Sequence, residues 1–167
     1  MPLHTIQIEG RADIDRPSFR QVQSLVDTFG VPGGPTYVML LGPNEEYVQA
    51  AGSAGRFVLE SRDQFGEGFL HLRAGSLTGR MTTVGYRWTC PGGVHPPNGC
   101  PLEVDEGCVL ALDGVKTALL HYARTGDRLP GVLWNDVTAE YVALVKDDGV
   151  LREIGRRREP RREGVPR

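Results

Sequence analysis

The chain of 167 residues contains no run of about 18 apolar residues, so no helix of it is expected to span a bilayer. Its first residues, Met1 to Glu9 (Met-Pro-Leu-His-Thr-Ile-Gln-Ile-Glu), lack the basic start and apolar middle of a secretory signal, and a cytoplasmic protein is expected. Catalytic signatures are missing too. There is no G-x-S-x-G elbow, no phosphate-binding glycine loop with its lysine, no H-E-x-x-H pair and no G-x-G-x-x-G after a strand. The 22 glycines are scattered through turns. His4, His71, His95 and His121 are far apart in the chain, and the carboxylate pairs Glu45–Glu46 and Asp147–Asp148 fall in turns, where solvation explains them. No catalytic residue, no cofactor and no enzymatic activity are therefore expected.

Cysteine is scarce, at three residues, yet it is the one place where metal chemistry could reside. Cys90, His95, Cys100 and Cys108 form C-x4-H-x4-C-x7-C, an acceptable ligand set for tetrahedral zinc. The spacing argues against it, because no cysteine pair has the two to four intervening residues of the common zinc modules. Cys108 also falls in an apolar run, where a thiol acts as a small hydrophobe. No metal site is expected, and a Cys90–Cys100 disulfide is disfavoured in a reducing compartment.

What is present is ordinary for a globular domain: 40% apolar and 24% charged residues in a chain long enough to bury a core without staples. The net charge of −2 conceals an uneven distribution. From Arg152 onward seven arginines face three glutamates, which leaves 12 basic and 18 acidic groups in residues 1–151. The body is acidic, which suits a basic partner by raising the encounter rate. The tail, 152–167, has no apolar periodicity and no aromatics to stack bases, so it reads as a solvated extension and nucleic acid is not an expected partner. The organisation expected is one domain over 1–151 followed by this tail.

Taken in order, Leu3 to Ile8 reads as a strand with Ile6 and Ile8 on one side. Asp15 and Pro17 look like a helix start, and Phe19, Val22, Leu25, Val26 and Phe29 form the apolar stripe of a helix over 16–29, ended by Gly30. Thr36 to Leu41, Tyr47 to Ala51, Arg56 to Ser61 and Phe69 to Leu72 are strand candidates separated by short turns, an antiparallel meander. Met81 to Trp88 and Cys108 to Leu112 are further strands. The expectation is an α+β fold: an antiparallel sheet of about six strands with two principal helices packed on one face and the opposite face partly open. Residues 137–154 fit a hairpin and a helix equally well.

The most coherent stretch is Cys108 to Trp134. After the apolar run 108–112, Val115, Ala118, Leu119 and Tyr122 recur at helical spacing. Asp113 and Arg124 suit the two ends of the helix dipole, Gly126 supplies a left-handed stop, and Pro130 prevents resumption. Trp134 then follows a loop short enough to fold back onto the elements just left. This strand, helix, Thr-Gly, Leu-Pro, Leu-Trp order resembles the small immunity proteins of bacterial polymorphic toxin systems, the family commonly paired with deaminase toxins. The resemblance covers Cys108 to Trp134 and extends, with fewer motifs, back to about Thr36. It departs from the family in a Cys- and Pro-rich insertion at 90–108, an extension after Trp134 and the Arg-rich tail.

What the resemblance implies is a binding protein that inhibits one cognate toxin and catalyses nothing. Cys108, Ala118, Tyr122, Gly126 and Trp134 would then be its structural motif, with Trp134 a packing residue. A nucleic-acid deaminase draws a base into a zinc pocket, so the simplest inhibition is to cover the pocket mouth and set carboxylates where phosphates would lie. On that reading the exposed turn and hairpin residues Glu45, Glu46, Tyr47, Arg62, Asp63, Phe65 and Glu67 would meet the toxin. The alternative is a small ligand-binding or enzymatic domain that uses the open sheet face as a pocket, which calls for convergent polar side chains in a cavity.

Overall fold

In the computed structural model, the described residues are 3–66, 68–87 and 100–140. The strands are β1 (Thr5–Ile8), β2 (Ile14–Asp15), β3 (Tyr37–Leu41), β4 (Tyr47–Ser53), β5 (Arg56–Phe65), β6 (Gly68–Ala74), β7 (Met81–Tyr86), β8 (Cys100–Asp105) and β9 (Trp134–Asp136). The helices are α1 (Phe19–Thr28) and α2 (Leu112–Thr125). Seven strands form one sheet in the order β2-β1-β3-β4-β5-β6-β9, every neighbouring pair antiparallel. This is the expected α+β architecture, with one strand more than expected. Among the described residues no helix is long and apolar enough to cross a membrane.

Both helices lie on one face, and the alternation of each strand explains why. Ile6, Ile8, Val38, Leu40, Val48, Ala50, Phe57, Leu59 and Ala74 point to the helix side and join Val22, Leu25, Val26, Phe29, Val115, Ala118, Leu119 and Tyr122 in a single core. Helix α1 starts later than expected. Ser18, not Asp15 or Pro17, is its N-cap, and Ser18 and Gln21 form a reciprocal capping box. Asp15 is spent on β2, where its carboxylate accepts from the Thr5 hydroxyl at 2.9 Å. Helix α2 has the expected Asp113, Arg124 and Gly126 in their places, with Gly126 left-handed at φ 80°.

Two expected strands turn out differently. Met81–Tyr86 leaves the main sheet and, among the described residues, pairs only with β8, forming a two-stranded ribbon. The ribbon lies across the second face, where Val84 and Val104 bury against Val58. Cys108 to Leu112 is not a strand. Only Leu110 bridges to Phe57, while Glu106–Cys108 forms a short 3-10 turn and Leu112 already belongs to α2. The cause is Asp105, whose carboxylate accepts from the Gly107 and Gly79 amides and from both the amide and the hydroxyl of Thr78, at 2.7 to 2.9 Å. Those bonds coil the chain where extended pairing would have continued. They also hold the Asp105 carboxyl down at about 2. Gly107 is required at this point, because its Cα side comes so close to the Ser76 carbonyl that a Cβ would sit 1.8 Å from that oxygen.

After α2 the chain returns along the edge of the sheet. Trp134 lies opposite Ala74 and packs half-buried against the core. Thr138–Glu140 opens a helical turn; the remainder of 137–154, like the tail 152–167, lies outside the described residues.

Candidate functional site

The antiparallel register gathers the turns expected to meet a partner at one end of the sheet. Tyr47 at the start of β4 pairs with Arg62, so the β3–β4 turn, which contains Glu45 and Glu46, sits beside the far part of β5. Strand β5 runs three residues further, to Phe65, and turns into β6. At roughly 3.3 Å per residue those three residues extend about 10 Å beyond the Tyr47–Arg62 pair, the last that β5 makes with β4. Phe65, near the hairpin tip, is 60% exposed. Asp63 is tied down by Arg128, which follows α2 and also lies over the Trp134 ring with its guanidinium 5.8 Å from the centroid. Arg62 lies over the Phe69 ring at 4.4 Å and donates to Gln64.

This end is acidic. Burial pushes the Tyr122 phenol up, and the negative charges of Glu46, Asp63 and Asp127 nearby push it further. Glu45 is exposed with a left-handed backbone (φ 69°). Glu46 has a local task, since its carboxylate accepts from the Asn44 amide at 2.8 Å and so holds the turn. Glu67 lies outside the described residues.

Tyr47 is a correction. It was expected at the exposed turn, but it is only 8% exposed, because its parity on β4 directs it to the second face rather than outward from the tip. There its ring meets the His71 ring edge-on at 6.0 Å, and its hydroxyl is 3.4 Å from His71 Nδ1. The motif residues Cys108, Ala118 and Tyr122 are all buried.

The second face carries an arrangement that the sequence did not reveal. Glu60 on β5 lies directly opposite Arg73 on β6 and diagonally across from His71, which pairs with Arg62 two residues along. Glu60 Oε1 accepts from Arg73 Nε at 2.9 Å, while Oε2 accepts from Gln49 Nε2 at 2.8 Å and lies 3.2 Å from His71 Nε2. Arg73 also donates through Nη1 to Glu140 at 3.0 Å, and Tyr37 donates to Gln49 Oε1 at 3.1 Å. Burial alone would raise the Glu60 carboxyl, but the hydrogen bonds and charges of His71 and Arg73, with the Gln49 bond, hold it down to about 2. Burial tends to lower the Arg73 pKa, and the two carboxylates raise it. A cavity of about 180 Å³ opens above this network, between the β7–β8 ribbon and Val137. The signal for it in the sequence was slight: two polar residues, His71 and Arg73, at alternate positions of one strand.

Among the described residues no group of three or more His, Cys, Asp and Glu side chains is placed to hold a metal ion. Of the zinc candidates, Cys90 and His95 lie outside the described residues, and Cys108 is a buried free thiol that burial pushes up. No family model, no curated protein and no solved structure matches the chain.

Proposed function

We propose that the chain is a cytoplasmic inhibitory binding protein that neutralises one cognate bacterial toxin, a nucleic-acid deaminase, by covering the mouth of its active site. The observation that carries this reading is the hairpin end of the sheet. Strand register brings Glu45, Glu46, Asp63 and the exposed Phe65 to one end of the sheet, with Phe65 on a hairpin that runs three residues past the last pairing of β5 with β4. An exposed aromatic at the same end as the Glu45 and Glu46 carboxylates has the chemistry of an inhibitor's contact surface: an anchor for a pocket mouth and acidic groups that stand in for phosphate. The resemblance of Cys108 to Trp134 to polymorphic-toxin immunity proteins supports the same reading. No catalytic step is asked of the chain itself.

The test is a titration of the toxin domain encoded by the neighbouring reading frame, one carrying a deaminase H-x-E and P-C-x-x-C set. Stoichiometric loss of deaminase activity on addition of this protein, with a complex that buries about 800 Å² on each partner, is the expected result. Full deaminase activity at an excess of inhibitor would overturn the proposal. The ligand-binding alternative is favoured by one observation, the polar-floored cavity on the second face.

A further inference from the structure

The cavity on the second face has an unbalanced floor. Glu60 already accepts three hydrogen bonds, so its carboxylate is nearly saturated. The donors that surround it are not. Arg73 uses Nε on Glu60 and Nη1 on Glu140, and its Nη2 makes no hydrogen bond among the described residues. Gln49 uses one amide hydrogen on Glu60, and its second has no partner among the described residues. Both side chains line the cavity and both are held against the same carboxylate, so their remaining N–H groups share one floor. An acceptor atom entering the cavity would find these N–H groups together on its floor and could accept from both.

The rest of the lining sets the remaining chemistry. One side is aromatic, with the Tyr37 and Tyr86 rings 6.2 Å apart and inclined by 31°, and Val58 and Leu102 supply aliphatic walls. A volume of about 180 Å³ is close to that of cavities known to hold a single benzene ring, so one substituted ring fits. An anion finds no unmatched cation here: Arg73 is already paired with Glu60 and Glu140, and His71 lies against Glu60. A cation would place more N–H groups against a floor that already has donors to spare.

We propose that this cavity binds a small neutral molecule built on one aromatic or heteroaromatic ring and bearing a carbonyl oxygen, with the ring between the Tyr37–Tyr86 side and the aliphatic walls and the oxygen accepting from Arg73 and Gln49. The site is separate from the hairpin end and stands or falls independently of toxin inhibition. The probes are benzamide, benzoate, benzamidine and benzene, each at millimolar concentration, read by thermal unfolding and by the side-chain N–H resonances of Arg73 and Gln49. Benzamide is expected to raise the midpoint and shift both resonances, with the other three at least several-fold weaker. In Ala51→Leu, which adds bulk to the cavity wall, the benzamide response should vanish while the fold remains; should that variant not fold, Gln49→Met should weaken the response several-fold. No benzamide response in the folded protein, an equal response to benzoate, benzamidine or benzene, or a full response in the folded Ala51→Leu or Gln49→Met variant would each overturn the proposal.

Discussion

Replacing Glu60 with Gln keeps the size of the side chain but removes the charge around which Gln49, His71 and Arg73 are arranged. The folded protein holds this carboxyl at about 2, against 4.5 when it is free in the unfolded chain. At about 1.4 kcal/mol per pH unit, the difference corresponds to about 3 kcal/mol of stability. Because the folded value is depressed, that stability is fully present above pH 4.5, declines below it, and is lost as pH falls through about 2. In Glu60→Gln it is absent at every pH. Arg73 then keeps only Glu140, whose side chain is 61% exposed and screened by water. Leaving a buried guanidinium short of its partner costs about 3 to 5 kcal/mol, so the variant should be destabilised by that amount at pH 7. Urea unfolding followed by tryptophan fluorescence between pH 7 and pH 2 measures both. The two proteins should differ most at neutral pH and converge toward pH 2, since the other carboxyls that the fold holds down, Asp105 and Asp136, are common to both. A constant difference across that range would refute the claim that Glu60 is ionised and held by its neighbours.

Trp134→Ala should cost about 3 kcal/mol, the low end for a large aromatic, because the indole is half-buried against the core; Trp134→Phe should cost less than about 1 kcal/mol, because it also removes an Nε1–H that is buried without a partner among the described residues. Chemical denaturation separates the two. Gly107→Ala should destabilise by about 3 kcal/mol, since its Cβ would sit 1.8 Å from the Ser76 carbonyl, whereas Gly114→Ala, in open space on the exposed side of α2, should stabilise by about 0.5 to 1 kcal/mol; opposite shifts in thermal midpoint are the readout. At the hairpin end, Phe65→Ser should leave the unfolding midpoint unchanged and speed dissociation from the toxin at least tenfold, while Glu45→Lys should slow association and flatten its salt dependence, both measurable by surface plasmon resonance. Unaltered rates in both variants would remove this end from the interface.

Helix α2 was legible in the sequence because every signal for it is local. The spacing of Val115, Ala118, Leu119 and Tyr122 defines a buried stripe, and the left-handed Gly126 ends it, whatever the stripe packs against. The hairpin meander from Tyr37 to Ala74 was legible for a similar reason, since short turns leave consecutive strands little choice but to pair. The same turns also determine that the tips holding Glu45 and Phe65 fall at one end. Alternation marks two faces on a strand without saying what covers the second, and that is where tertiary structure decided. Tyr47 reads as a tip residue until parity turns it inward onto His71. Met81–Tyr86 reads as one more strand of the sheet until it pairs with Cys100–Asp105 and crosses the second face as a ribbon. Cys108 reads as strand until the Asp105 carboxylate gathers the amides of residues far back in the chain and coils the backbone. Glu60, His71 and Arg73 are unremarkable in order along the chain. Only the register of β5 against β6 sets them side by side, and only burial beneath the ribbon makes their charges cohere. Interactions between residues near in sequence are written in its periodicity, whereas those that depend on register and on what lies overhead exist only once the chain has folded.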